Sequence, residues 1–439
     1  MSNHHDSFLD ALPDGWTFDR LKDVVVLRNE KCDEASADED YLELEDLESG
    51  SGRILNRRNT LEVESAVTLF KKGDVLFGKL RPYLEKYYEA EFDGKCTGEI
   101  LAFKPERIAS RFLFYCVGSR WFIERCNALA YGAKMPRVSW PTQLSQFNVP
   151  LPPLPVQQRI AAYLDASCAA IDAAVTAKRH QLDTLDAVRE SLIESAVTKG
   201  MGPNAPMRPV NEDWITELPA HWEVCRIKRI VSRVDYGISE STEPEGRYPV
   251  LKMGHIQRGE IEFRDLDFVD EVSDNLLLET GDLLYNRTNS PDQVGKAAIF
   301  RRHKTDEITF ASYLVRLRTN HRADPYFLNY LVNSRGFLSF ARKLAIPSVQ
   351  QSNLNSTRYC RMLIPRPPVE EQREIAVYLD AKLGELGRVV IGIESQIDTL
   401  TTYRKSLIHE CVTGQRRITE SDVQRAAAQR KFDNLALTG

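Results

Sequence analysis

The 439-residue chain lacks any run of about 18 apolar residues, so no membrane span is expected. Its start, MSNHHDSFLDALPDGW, has neither the basic nor the apolar region of a secretory signal. The eight cysteines (Cys32, Cys96, Cys116, Cys126, Cys168, Cys225, Cys360 and Cys411) are scattered and never spaced C-x-x-C. That excludes a metal or redox signature and suits a reducing, cytoplasmic setting. The eight histidines are equally dispersed, and His4-His5 is too short for a metal site. G-x-x-x-x-G-K-[ST], G-x-G-x-x-G, H-E-x-x-H and G-x-S-x-G are all missing, and with them the usual nucleotide, dinucleotide, zinc-protease and hydrolase sites. There is no Asn-Pro-Pro-aromatic tetrapeptide of the kind amino-methyltransferases use to hold a flipped base. The expectation is a chain that binds no metal and no cofactor of its own. One acidic pair runs against it: Asp74 followed by Asp93 and Lys95 loosely matches a metal-nuclease spacing, without a matching pair in the second half.

A net charge of −5 also speaks against a uniformly basic surface, but the charge is unevenly spread. Residues 1–50 hold 4 Lys/Arg against 15 Asp/Glu, residues 51–150 hold 16 against 10, and residues 218–365 hold 21 against 18. A polyanion needs local basic surface rather than a basic average. The acidic N-terminal segment has no assigned role at this stage.

What the chain does have is a repeat. PPLPVQQRIAAYLD (Pro152 to Asp165) returns as PPVEEQREIAVYLD (Pro367 to Asp380), and QLDTLDAVRESLIESAVT (Gln181 to Thr198) returns as QIDTLTTYRKSLIHECVT (Gln396 to Thr413), both at an offset of 215 residues. The openings LPDGWTFDRLK and LPAHWEVCRIK match at an offset of 206, so the second copy is nine residues longer between its landmarks. Internal duplication implies two like units related by an approximate two-fold axis.

Each unit has two parts. A turn-rich region of short apolar runs (DVVVL, DVLFG, DLLYN, YLVRLR) and helical stretches reads as a mixed α/β domain. A proline cluster then leads into a long helical pattern, which disfavours reading P-x-x-P as a peptide ligand. Apolar residues recur there at alternating spacings of four and three. The seam runs Leu164, Cys168, Ile171, Val175, Lys178, Leu182, Leu185, Arg189, Leu192, Ala196 in one copy. In the other it runs Leu379, Leu383, Leu386, Val390, Ile393, Ile397, Leu400, Arg404, Leu407, Cys411. A stripe repeating every 3.5 residues is a coiled-coil seam, and about 44 residues make a rod of roughly 65 Å. The arginine interruption falls at the same level in both copies. The expected fold is therefore α+β: two mixed α/β domains joined by two long antiparallel coiled-coil helices in a pseudo-two-fold repeat. The boundaries are 1–150 for the first domain, 151–200 for the first helix, 201–217 for a linker, 218–365 for the second domain, 366–414 for the second helix and 415–439 for a polar tail. Trp16 and Trp222, at matching openings, are expected core anchors.

Two pairs of aligned loops suit binding better than packing. FGKLRPYLEKYY carries Lys79, Arg81 and Lys86 interleaved with Tyr83 and Tyr87, and its counterpart YNRTNSPDQVGK carries Asn286, Arg287, Thr288, Asn289, Gln293 and Lys296. YGAKMPRVSW carries Lys134 and Arg137, and its counterpart AIPSVQQSNLN carries Gln350, Gln351 and Asn353. Arg and Lys pair with phosphates and guanine edges, while Asn and Gln pair bidentately with adenine.

From Leu12 to Thr413 the duplicated LPPLPVQQRIAAYLD…LIESAVTKG and PRPPVEEQREIAVYLD…LIHECVTG architecture resembles the specificity (S) subunit of type I restriction–modification systems. The GDVLFGKLRPYL and GDLLYNRTNSPDQVGKAAIF stretches resemble the target recognition domains of that family. The resemblance implies that each domain reads one half of an asymmetric, bipartite double-stranded DNA site. It implies that the paired helices set the spacing and dock two adenine-N6 methyltransferase (M) subunits. Restriction/translocase (R) subunits would join through the M–S core, and S-adenosylmethionine, ATP and Mg²⁺ would be bound by those partners. Two other readings are open on the residues alone: a self-sufficient metal-dependent nuclease acting through Asp74, Asp93 and Lys95, and a coiled-coil scaffold whose domains bind protein.

Overall fold

The computed structural model describes residues 12–32, 40–59, 67–202, 205–302, 306–348 and 350–438. Of the acidic N-terminal segment, residues 1–11 (with His4 and His5) and 33–39 lie outside these. The chain divides into two compact units, residues 1–179 with 394–439 and residues 180–393. The divisions fall inside the two long helices, Leu154–Lys199 and Val369–Val412, and not at their ends. Each unit is thus a globular head packed with the N-terminal part of one helix and the C-terminal part of the other.

In the first head an antiparallel sheet has the order Val25–Leu27, Ile100–Pro105, Val75–Gly78, Tyr87–Glu89. In the second the order is Val231–Tyr236, Leu314–Thr319, Leu283–Asn286, Ala297–Ile299, again antiparallel. Both faces are covered, which is why these strands read as continuous apolar runs rather than alternating ones. Val75, Phe77 and Phe103 face the helices Ser110–Val117 and Arg120–Leu129, while Leu76, Ile100 and Ala102 face a second layer. That layer is a five-stranded sheet containing the parallel pair Asp40–Leu42 and Gly94–Cys96. The second head repeats the division, with Leu283, Tyr285, Val315 and Leu317 on one side and Leu284, Ala298 and Leu314 on the other. Its second layer repeats the parallel pair as Tyr248–Leu251 and Thr309–Phe310. Arg316, fully buried, is held there by Asp235 and the carbonyls of Leu277 and Asn275.

The head is closed by its own ends. Thr17–Arg20 pairs with Asn148–Leu151, and Glu223–Arg226 with Leu363–Arg366, immediately before each long helix begins. Each helix stops at a glycine of positive φ, Gly200 (+75°) and Gly414 (+77°). A Cβ at Gly200 would stand 3.3 Å from Trp222, and one at Gly414 would stand 2.4 Å from Pro13 and 3.4 Å from Trp16. The opening tryptophans therefore pack against the helix ends; Trp222 is a core residue and Trp16 is partly buried.

Part of the heptad stripe is buried in each unit. In the first unit Leu164, Cys168, Ile171 and Val175 share a core with Leu407 and Cys411, with Ile397 and Leu400 packed against it. The pairing is antiparallel: Asp172 meets Arg404, and Tyr163 meets Arg416, so one helix rises as the other falls. In the second unit Ala196 and Ile193 pack with Leu379 and Ile375, flanked by Leu192 and Leu383. Leu182, Leu185, Leu386 and Val390 are half-buried, and Ile393 is buried. The helix Leu154–Lys199 is long and apolar enough to cross a membrane by length and composition alone. Its apolar residues Ile160, Leu164, Ile171 and Val175 belong to the core of the first unit.

Two segments depart from expectation. The linker 201–217 contains a hairpin, Met207–Glu212 with Ile215–Pro219, because Ile215 and Leu218 are drawn into the second core. The polar tail forms a helix, Glu420–Thr438, with Val423 packed on the first core.

Candidate nucleic-acid interface

In each unit the two loops singled out in the sequence lie side by side. In the first, the Arg81 N–H donates to the Pro136 carbonyl at 2.7 Å and the Arg81 guanidinium to the Lys134 carbonyl at 3.2 Å. Leu80 bridges to Arg137, which folds back on Tyr131. In the second, Thr288–Asn289 pairs antiparallel with Gln351–Asn353, which pairs with Ile346–Ser348. The Asn353 amide donates to Thr288 Oγ1 at 2.8 Å. A strand that leaves the central sheet and a returning loop thus build one surface in both heads.

The positions are not equally available. Lys134, Gln350 and Gln351 are exposed. Lys79, Arg81, Arg287, Thr288, Asn289 and Asn353 are half-buried at the surface, with Arg81 Nε and Arg287 Nε lacking a partner. Arg81 and Gln350 adopt positive φ, 50° and 59°, which bends the loop at each position. Arg137 is held by Glu99 at 3.0 Å, so its charge is already answered. Arg287 lies over the Tyr236 ring at 5.1 Å, and its guanidinium donates to the Ser312 carbonyl at 3.3 Å.

Three candidates are turned away from this surface. Asn286 is only 1% exposed, because a strand's side chains alternate and its place in Leu283–Asn286 faces inward; neither polar atom of its amide has a partner. Lys86 donates to the Leu47 carbonyl. Lys296 donates to Gln293 Oε1 at 2.6 Å and lines a cleft on the helix side. Tyr87, one of the interleaved aromatics, is a core residue whose hydroxyl donates to the Gly50 carbonyl at 3.0 Å, with burial pushing it up to about 12.

The exposed aromatics around the loops are Tyr83, Tyr131, Tyr236 and Tyr313. Tyr236 and Tyr313 escaped the sequence reading because they lie in strand and turn segments outside the aligned loops. Tyr313 opens the apolar run YLVRLR and Tyr236 ends a strand, and single-sequence patterning does not separate an exposed tyrosine in such a place from a core one.

The acidic pair is accounted for otherwise. Asp74, 2% exposed, takes Arg28 at 2.8 Å and the Lys71 N–H at 2.8 Å. Asp282 does the same in the second head with Arg318 at 2.7 Å and the Glu279 N–H at 2.9 Å. Both close the turn before a central strand. Asp93 is exposed and pairs with Lys71 at 3.2 Å. In the acidic N-terminal segment, Glu43, Glu45 and Asp46 gather around Arg58, so its described carboxylates are largely spent inside the head.

Residues 13–182 match the family model of the type I restriction modification DNA specificity domain. The chain is also similar along 93% of its length to the type I restriction enzyme MjaVIII specificity subunit of Methanocaldococcus jannaschii, with 22% identity over 427 residues covering 94% of that protein. The matched part of the chain thus resembles the DNA specificity domain of type I restriction–modification systems. The MjaX specificity subunit of the same organism is 28% identical over 205 residues, which is 45% of this chain and 47% of that one. A solved chain from a study of complex assembly in a type I R-M system shares the fold at a TM-score of 0.73, with 20% identity over 92% of this chain and 99% of that chain.

Proposed function

We propose that this chain is the non-catalytic DNA-recognition subunit of a type I restriction–modification complex, with each head reading one half of an asymmetric bipartite site. The observation that carries the reading is the repeated construction of the loop surface with different side chains on it. The first head offers Lys79, Arg81, Lys134 and Arg137, and the second offers Arg287, Thr288, Asn289, Gln350, Gln351 and Asn353. One scaffold with two donor and acceptor sets reads two unlike half-sites.

In this reading the paired helices set the spacing between half-sites and dock two adenine-N6 methyltransferase subunits, through which restriction subunits join. S-adenosylmethionine, ATP and Mg²⁺ belong to those partners, and the complex works in the cytoplasm. Exposed apolar residues on the outer helix faces, among them Val188, Val377, Val389 and Ile391, support a protein partner there.

The test is to co-express the chain with a candidate type I methyltransferase subunit and map N6-methyladenine across the host genome. Methylation at a two-part motif with a fixed gap is expected, and replacing the 286–289 and 350–353 loops should alter one part alone. Methylation unchanged by removing the chain, or a single continuous motif, contradicts the reading.

A further inference from the structure

The repeat lets each unit serve as a control for the other, and one place differs in charge. In the first unit the seam arginine Arg404 pairs with Asp172 at 3.1 Å and donates to the Gly50 carbonyl at 3.1 Å. Arg120, which opens the helix Arg120–Leu129, pairs with Glu124 at 2.6 Å. The second unit repeats the frame: Arg189 donates to the Arg258 carbonyl at 3.3 Å, and Arg335 opens the helix Arg335–Leu344. The carboxylates, however, are gone. At the 215-residue offset Asp172 becomes Gly387 and Glu124 becomes Ser339, while Asn127 and Ala128 become Arg342 and Lys343.

Ser339, Arg342 and Lys343, with the seam arginine Arg189, line an open cleft of about 830 Å³, a volume in the range of small-ligand sites. Arg342 donates to the Asp292 carbonyl, and its Nε is buried without a partner. Ser334 is 1% exposed and its hydroxyl has no partner, whereas the equivalent Ser119 donates to the Cys116 carbonyl at 2.7 Å. The Lys296 ammonium is pushed down by burial and then by nearby Arg342. Of the cleft's carboxylates, Asp186 is taken by Arg258 at 3.2 Å, Glu260 by Arg301 at 3.0 Å and Asp380 by Tyr330, which leaves Glu190. Among the described residues no carboxylate comes within ion-pairing distance of Arg189, Lys296, Arg335, Arg342 or Lys343. The helix N-terminus itself is already capped, since Glu194 accepts the Gly336 N–H at 3.0 Å.

We propose that this cleft binds a phosphoryl oxyanion, held by Arg189, Lys296, Arg335 and Arg342, with the Ser334 hydroxyl donating to one oxygen. A dianion restores the two negative charges that Gly387 and Ser339 remove relative to the first unit. Its oxygens also satisfy buried donors that otherwise stay desolvated at a cost. A free pyrophosphate-like ligand and a backbone phosphate of DNA supply the same chemistry.

The test uses the full chain, with pyrophosphate as probe in isothermal titration and thermal melts at constant ionic strength. Saturable heat and a melting temperature that climbs with pyrophosphate concentration are expected. Arg342→Gln with Lys296→Gln should weaken binding at least tenfold. Ser339→Glu with Gly387→Asp, which rebuilds the first unit's carboxylates, should abolish it while leaving the ligand-free melt unchanged or higher; a Cβ at Gly387 meets nothing within 4 Å. If pyrophosphate also displaces a DNA duplex, and the rebuilt variant shows a flatter salt dependence of duplex binding, the occupant is a DNA phosphate. If duplex binding is indifferent, it is a free ligand. Pyrophosphate heats and melts no different from salt-matched controls, or equal affinity in the folded variants, overturn the proposal.

Discussion

Gln157 and Gln372 hold one buried post in the two halves of the chain. Gln157 Oε1 accepts the Ala109 N–H at 2.7 Å and its amide donates to the Pro152 carbonyl at 2.8 Å. Gln372 Oε1 accepts the Asp324 N–H at 2.8 Å and its amide donates to the Pro367 carbonyl at 2.8 Å. Each glutamine ties the first turn of a long helix to the cap of the head's own helix pair. Gln372→Leu strips partners from buried backbone groups, at about 1–3 kcal/mol for each one left unsatisfied. Chemical denaturation of the full chain should show that loss, and Gln157→Leu should show a similar one.

The two seam arginines should differ. Arg404 is buried with Asp172, so Arg404→Leu leaves a part-buried carboxylate that retains only Arg53. A loss of about 2 kcal/mol is expected, below the range for a fully buried pair because Arg53 remains. Arg189 has a carbonyl partner and no carboxylate, so Arg189→Leu should cost under about 1 kcal/mol. Equal losses in the two melts would place the seam wrongly.

His409 gives the fold a pH dependence of known sign. It occupies the position that Glu194 occupies in the other half, but burial first, and then Arg120, holds its imidazole below the ordinary 6.5. The folded chain therefore binds this proton less readily than the unfolded one. The stability it contributes is complete above about pH 6.5 and is lost as pH falls through that value towards the depressed folded one. His409→Gln should flatten the fall in melting temperature between about pH 7.5 and 5.5. His409→Glu, which copies Glu194, should raise it by offering a carboxylate to a helix N-terminus. A pH profile untouched by His409→Gln contradicts the assignment.

The repeat made most of the fold legible. The constant 215-residue offset holds from Ser110–Val117 against Pro325–Val332 through both long helices. Heptad spacing located the seam because a buried stripe on a long helix has one period. The hairpin Met207–Pro219 was read as linker because Gly, Pro and Asn mask the alternation of Ile215 and Leu218. At the loop surface, alignment between copies picked out both loops of each unit, but their lying side by side is seen only in the structure. Orientation did not: Asn286 turns inward by strand alternation, Lys86 bends to the Leu47 carbonyl, and Lys296 points to the cleft. A side chain's direction depends on backbone register, which residue identity does not give.

The loop side chains should separate into two kinds. Arg287→Ala should weaken one half-site by about 1–3 kcal/mol where it contacts a guanine, with the other half-site unaffected. Lys134→Ala should weaken all sequences about equally and reduce the salt slope by about 1, as a phosphate contact does. Competition binding with half-site variants, repeated across salt concentrations, distinguishes them.

The most direct measurement is a hydroxyl-radical footprint of the chain, co-expressed with a candidate methyltransferase subunit, on a DNA fragment carrying the motif whose methylation depends on the chain. Two protected stretches flanking a spacer with accessible backbone sugars are expected, and the 286–289 and 350–353 loop replacement should erase one of them. A single unbroken footprint, or loss of both stretches together, would contradict two separate reading heads.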